Sequence, residues 1–419
     1  MTSLDSARLR DDSDWRRFLG ARLISLTGSA VTFVAFPVIV YSLSRSPLLT
    51  ALVAALEAIP YLLFGLLAGA LADRFDRKRV MVFVDLTNAA VLASIPIAYW
   101  LDGLSVAHLL VAAFVVPALF VFFDAADFGA LPTLVGRTRI ATANSALWSS
   151  STIVETVVPL LAAASFAVIA PASLITIDAL SYVASALLLR AIVRPLSDPE
   201  RRPNAAFSRR AVVADVREGL AFLWGHSTLR SMTIVGTSQA ICGGAFMGQL
   251  IPWADRSLHI RGGDWRLGVL FASWGVGVLF ASLVVPRFVR RVGAARVTLL
   301  ILPASAALCA LTAFSRSWVF ASLVLVGWGA AYMGVVINAI TYRQQVTPEP
   351  LMSRVNTTGR MLSFGLGSPI GSVLGGVVAQ VADPWAGILA GAAVLAAGAA
   401  VAWLSPLHRE GANPATIPA

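Results

Sequence analysis

About twelve apolar runs of roughly 20 residues each dominate this chain, and nothing constrains its fold more. They lie near 18–42, 49–72, 80–101, 105–126, 143–169, 171–193, 228–253, 266–288, 297–314, 317–341, 357–381 and 384–405. A helix of about 20 residues crosses a hydrocarbon core of about 30 Å. The runs are continuous and rich in Ala, Leu and Gly. They do not alternate as the strands of an outer-membrane barrel do. Only 13% of the 419 residues are charged and 58% are hydrophobic. A soluble domain carries about twice that share of charge. The pattern therefore predicts an all-α integral membrane protein with twelve transmembrane helices.

Charge sets the expected orientation. The formal net charge is +10, and the basic residues gather between the runs. With both termini cytoplasmic, the inner segments hold Arg8, Arg10, Arg16 and Arg17, then the cluster Arg74–Arg79, then Arg137 and Arg139. The inner segments after the sixth run continue the series from Arg194 through Arg217 to Arg354. The outer loops hold Arg45, Arg256, Arg261, Arg266 and Arg316. This is the positive-inside bias of a multi-pass protein of a bacterial inner membrane. It also explains the net charge without nucleic acid, whose binding needs basic residues on a soluble face. Met1–Arg17 is polar, so no cleavable signal is expected and the first run serves as an anchor.

Several chemistries lack their residues. There is no phosphate-cradling Gly-Lys-Ser/Thr loop, so ATP is not the expected energy source. No nucleophile–His arrangement suggests an enzyme, and no cofactor or metal site is expected. Cys242 and Cys309 both lie in apolar runs and read as small buried hydrophobes.

The expected organisation is a cytoplasmic segment over 1–17, a six-helix bundle over 18–193, a cytoplasmic linker over 194–227, a second six-helix bundle over 228–405 and a tail over 406–419. The linker carries Pro195, Pro199 and Pro203, with an amphipathic helical piece around Arg209–Trp224. The halves echo each other. Asn144 precedes a run carrying Pro159, and Asn356 precedes one carrying Pro369. A basic turn follows the second run (Asp73–Arg79) and another follows the eighth (Arg287–Gly293). Two related bundles with a substrate site near midmembrane follow from such repetition.

The turn between the second and third runs reads Gly69, three residues, Asp73, Arg74, one residue, Asp76, then Arg77, Lys78 and Arg79. This resembles the loop motif of the major facilitator superfamily, with Asp76 standing where glycine is usual. Either the turn lacks a left-handed residue, or Asp76 adopts that geometry. Further stretches resemble its drug:proton antiporter branch, which includes macrolide-efflux and siderophore-export proteins. They are Arg22–Gly28, Phe122–Asp124, Leu131-Pro132 before Ala143-Asn144, Asp178–Tyr182, and Gln345–Pro348 followed by Ser353-Arg354-Val355. One departure stands out. Pro159 is flanked by Val158 and Leu160 where the antiporters carry glycine, while the eleventh run holds Gly365, Gly367, Pro369 and Gly371. Bending at Pro159 and Pro369 is expected, with close packing shifted to the second bundle.

The resemblance implies roles. Gly69, Asp73, Arg74, Arg77, Lys78 and Arg79 would form an inner gate. Its partner acid would be Asp124 or Asp127 in the fourth run, and Arg360 would be the cation available to Asp73. From the residues themselves, Glu155 and Glu57 are the proton-coupling candidates, because a carboxylate within the bilayer needs a partner, a proton or water. Asp178 reads as structural, since the sixth helix of this fold is peripheral. Gln239, Gln249 and Asn338, with Phe36, Phe246 and Trp328, are candidates for the substrate cavity. Other aromatics, among them Trp274 and Tyr332, could also line it.

The expected function is secondary active transport by alternating access. It would be proton-coupled export of a hydrophobic or amphipathic small molecule such as a drug, antibiotic or siderophore. The expected partners are that molecule, protons and membrane lipids, around a monomer. An importer or lipid flippase of the same fold, or a transporter-like sensor or scaffold, are the alternatives.

Overall fold

The computed structural model describes residues 9, 11–72, 75–166, 168–197, 209–261, 264–348, 351–405 and 407. They are all-helical, with no strand among them. Twelve helices are long and apolar enough to cross a membrane, in agreement with the twelve apolar runs. In chain order the first six are α1 (Ser13–Ser44), α2 (Pro47–Ala72), α3 (Arg77–Trp100), α4 (Val106–Val135), α5 (Ile140–Ser165) and α6 (Pro171–Arg190). A shorter helix, α7 (Arg209–Gly225), follows in the linker. Then come α8 (Ser227–Leu258), α9 (Trp265–Val292), α10 (Ala294–Phe314) and α11 (Trp318–Val346). The next span is broken into α12 (Met352–Arg360), a π-helical stretch (Met361–Gly367) and α13 (Ser368–Val381). The last helix is α14 (Pro384–Leu404).

Turn chemistry sets several of the boundaries. Asp76, Ser105 and Asp264 cap α3, α4 and α9 by accepting from backbone N–H groups two or three residues on. Asp102 and His259 close α3 and α8 with left-handed backbone. Proline occupies the first positions of α6 and α14, where its missing N–H costs nothing.

The chain forms two compact units. Unit 1 comprises Met1–Ile39 and Pro60–Phe207; unit 2 comprises Val40–Ile59 and Ser208–Ala419. The break within the linker lies at Phe207–Ser208, and the α1–α2 hairpin of residues 40–59 groups with the later helices.

In unit 1, α3 packs along α6 and α4. A buried cluster of Trp15, Phe18, Met81, Phe123, Leu134 and Leu189 fills the end nearest the α2–α3 turn. There Asp14 accepts from the backbone N–H of Val193 (3.1 Å) and Arg194 (3.0 Å), and Arg194 also bonds Asp12 and the Leu134 carbonyl. The start of α1 is thereby fastened to the chain leaving α6. Asp12 is pushed up by burial, but the bonds from Arg194 outweigh this and hold it below its usual 3.8.

In unit 2, α8 packs against α13 and α14, and α9 against α11. The approach of α8 to α13 needs glycine: a Cβ on Gly371 would collide with the Ile241 carbonyl. The π-helical stretch ends at Gly367, two residues before Pro369, which has no N–H to continue a regular ladder. Pro159 sits within continuous α5. The linker helix α7 packs on α12, with Leu223, Leu229 and Val355 fully buried. The 40–59 hairpin is fastened to unit 2 by polar contacts. Tyr41 donates to Asp255 (3.1 Å), Ser46 to Gln380 (2.9 Å), and the Gln249 amide to the Pro47 carbonyl (3.3 Å).

Candidate functional site

The α2–α3 turn is built by its charges. Asp76 has φ −61° and ψ 114°, an extended conformation, so this turn uses no left-handed residue at that position. Its side chain accepts from the Arg79 N–H (2.8 Å) and starts α3. Arg77 is buried and donates to the Gly129 carbonyl of α4 (2.7 Å); its own N–H donates to Ser197 (2.9 Å). Lys78 donates to the Ile192 carbonyl (2.6 Å). The motif cations thus tie α3 to α4 and to the chain after α6. Gly69 lies in the last turn of α2. Asp73 and Arg74 fall outside the described residues. Arg360 is exposed where α12 meets the π-helical stretch.

Of the two α4 acids, Asp127 faces Arg22 of α1 at 3.4 Å. The Arg22 guanidinium also lies over the Phe123 ring, 5.1 Å from its centre. Asp124 is half-buried and makes no hydrogen bond or ion pair with a described residue. Beside this turn, a cavity of about 460 Å³ is lined by Ala68, Phe75, Phe83 and Phe122, with Asp76 and Arg79 contributing charge.

Unit 1 also holds a buried polar group that sequence reasoning missed. Asp85 and Asn88 of α3 are fully buried, and no polar atom of either side chain has a hydrogen-bond partner. Asp178 of α6 is buried with them and accepts from Thr32 of α1 (2.5 Å) and from Ser181 (3.2 Å). Tyr182 pairs its hydroxyl with Ser29 (3.1 Å). The signal was present: Asp85 is an acid inside an apolar run, as Glu57 and Glu155 are. Glu155 is exposed on α5 and Glu57 half-buried on α2, and neither bonds a described residue.

Unit 2 contributes an aromatic group. Phe246 and Trp328 are fully buried and meet edge to face, 4.5 Å between ring centres. Trp274 lies 4.9 Å from Trp328 and 5.2 Å from Tyr332, and both Trp274 and Tyr332 are half-buried. The Trp328 indole N–H has no partner. Gln239 bonds Ser305 (3.0 Å), and Asn338 donates to Thr298 and to the Ala294 carbonyl (both 2.6 Å). The Gln239 amide and the Asn338 NH2 are therefore engaged within unit 2, while the Asn338 carbonyl oxygen is buried without a partner. Gln249 is buried with its carbonyl oxygen unpaired. Phe36 is buried on α1 in unit 1. Cys242 and Cys309 are free and buried, 3.4 Å apart between α8 and α10. No group of three metal-binding side chains occurs among the described residues.

Twelve helices long and apolar enough to cross a membrane define a multi-pass membrane protein. The chain matches the transmembrane secretion effector family over residues 8–417, and it belongs to that family of the major facilitator superfamily. It is 30% identical over 223 residues to the multidrug efflux pump Tap of Mycolicibacterium fortuitum, covering 52% of this chain and 54% of that protein. It is 29% identical over 219 residues to macrolide efflux protein A of Streptococcus pyogenes, covering 51% and 52%. The chain spans about half the length of these curated relatives. Among solved structures, a bacterial homolog of the human lysosomal transporter Spinster superposes with a TM-score of 0.72 at 13% identity, covering 94% of this chain and 96% of that one. The nucleoside transporter NupG superposes with a TM-score of 0.72 at 13% identity, covering 93% and 98%. A bacterial ferroportin homologue superposes with a TM-score of 0.71 at 17% identity, covering 96% and 98%. At such identities these likenesses establish the fold.

Proposed function

We propose that this multi-pass transporter exports a hydrophobic or amphipathic small molecule across a bacterial inner membrane, in exchange for protons and with both termini cytoplasmic. The observation that carries the reading is a division of chemistry. Unit 1 holds the fully buried acids Asp85 and Asp178 and the half-buried Asp127, whereas unit 2 presents the half-buried aromatic faces of Trp274 and Tyr332 beside an unpartnered indole N–H. An apolar ligand with one acceptor group suits such a surface. Acids within apolar spans suit proton binding. The named efflux relatives support export of this kind of cargo.

Alternating access would require the 40–59 hairpin to leave its contacts with Asp255 and Gln380 in one state and regain them in the other. A ligand or proton shifts such an equilibrium only by binding one state better. The test is efflux of a fluorescent dye or a macrolide from a host lacking its own pumps. Expression of the chain should lower accumulation, and a protonophore should abolish the effect. Efflux unchanged after collapse of the proton gradient rules out proton exchange. Raised accumulation would mean import.

A further inference from the structure

Buried charge must balance, and in unit 1 it does not. Arg22 on α1, Asp127 on α4, and Asp178 and Tyr182 on α6 all lie within electrostatic reach of Asp85 on α3. Asp124 adds a further acid beside Asp127. Arg22 is the one cation among these groups, and it pairs with Asp127 at 3.4 Å. Asp178 has no cation but two hydroxyl donors, Thr32 and Ser181. The site is built for this: a Cβ on Gly28 would collide with Asp178 and the Ser181 hydroxyl, so only glycine admits them against α1. Asp85 makes no hydrogen bond and no ion pair with a described residue. Both its oxygens are buried and unpartnered, the Ser185 hydroxyl beside it is also unbonded, and Asn88 lies one turn along with its whole amide unbonded.

An ionised carboxylate inside a membrane-spanning helix is costly unless it has a partner, a proton or water. Even with the half-buried Asp124 set aside, Asp85, Asp127 and Asp178 against one guanidinium would leave two such charges. Hydroxyl hydrogen bonds ease that cost for Asp178, whereas Asp85 makes no hydrogen bond to ease it. A proton on an Asp85 oxygen removes the charge and supplies an O–H that Asn88 or Ser185 can accept.

We propose that Asp85, facing Asp178 across α3 and α6, is the proton-binding acid of this transporter, with Asn88 and Ser185 as acceptors for the bound proton and Thr32 and Ser181 holding Asp178. Its role in transport rests on the proton-exchange reading above. Its existence does not. The proton arrives from water and returns to it; no other bond is made or broken. Asp178 is then more than the structural residue its peripheral helix suggested. Glu155 and Glu57 become secondary sites.

The test is infrared difference spectroscopy on the full chain in lipid nanodiscs. At neutral pH the wild-type protein shows the C=O stretch of a protonated carboxylic acid, which shifts in D2O and disappears at alkaline pH. Labelling with 13C-aspartate moves that band, which separates it from Glu57 and Glu155 without any substitution. Asp85→Asn removes it, while Glu155→Gln leaves it. No aspartate-derived band, or one that survives Asp85→Asn, overturns the proposal. Transport is read separately in vesicles. Asp85→Asn abolishes accumulation driven by a pH gradient but retains exchange of substrate for substrate. If Asp85→Asn keeps gradient-driven accumulation, the proposal falls. If the band behaves as expected but the wild-type protein never responds to a proton gradient, the site stands and proton-driven export fails.

Discussion

Arg22 and Asp127 show how one residue pair can decide the state of a region. Their side chains keep only 22% and 15% exposure, and the guanidinium is further held over Phe123. Removing one partner of such a pair leaves a largely buried charge unpaired, a loss of about 3 kcal/mol at the low end for broken buried pairs. Asp127→Asn should therefore lower thermal stability in detergent more than the double substitution Arg22→Met with Asp127→Leu. A double-mutant cycle of unfolding checks this; strictly additive losses would mean the pair contributes nothing. A second case lies at the start of α1. Asp12 has its carboxyl held below 3.8 by Arg194, so its contribution is present above that value. It is lost as pH falls through the lowered folded value. Melting temperature should stay level from neutral pH to about 4 and then fall, and Asp12→Asn should flatten that acid limb. Unfolding followed across pH 2–6 decides it.

At the scale of elements, the broken eleventh span carries the strongest prediction. The Gly371 approach to Ile241 and the π-helical stretch before Pro369 let α13 lie against α8. Gly371→Leu cannot be absorbed there by a rotamer change, because the obstacle is backbone. Overpacking of cores costs about 1–3 kcal/mol and more where backbone must move. The expected outcome is a marked loss of monodisperse protein in size-exclusion chromatography, whereas Gly136→Ala tests only its own positive φ at the α4 end. Most elements were legible in the sequence, because apolar length alone defines a span. The glycines and Pro369 of the eleventh run marked it as unusual, but a π-helical register depends on packing against α8, which no local pattern encodes. Asp76 shows the same limit. Its residue type allowed either a left-handed turn or an N-cap, and only the position of Arg79 selected the cap. Asp85 was legible as an acid in an apolar run. Its lack of a hydrogen bond was not, since that depends on how α6 and α1 place Ser185, Asp178 and Arg22 around it.

For the molecule as a whole, chemistry and topology need not divide at the same residues. Sequence reading separates two bundles at a linker over 194–227, and the compact units part within that linker. The units also divide α1 and α2, sending residues 40–59 to the later helices. No hydropathy profile carries that information, because it resides in Tyr41, Ser46, Gln249, Asp255 and Gln380 meeting across distant parts of the chain. Exchange of protons for an apolar or amphipathic cargo can be followed in both directions at once. The purified chain is reconstituted in vesicles containing a pH-sensitive dye, and a macrolide or cationic dye is added under an imposed pH gradient. Proton exchange gives cargo accumulation on the acidic side, with proton movement in the opposite direction that begins only when cargo is present. Cargo movement with no matching proton movement, at a rate indifferent to the gradient, would contradict it.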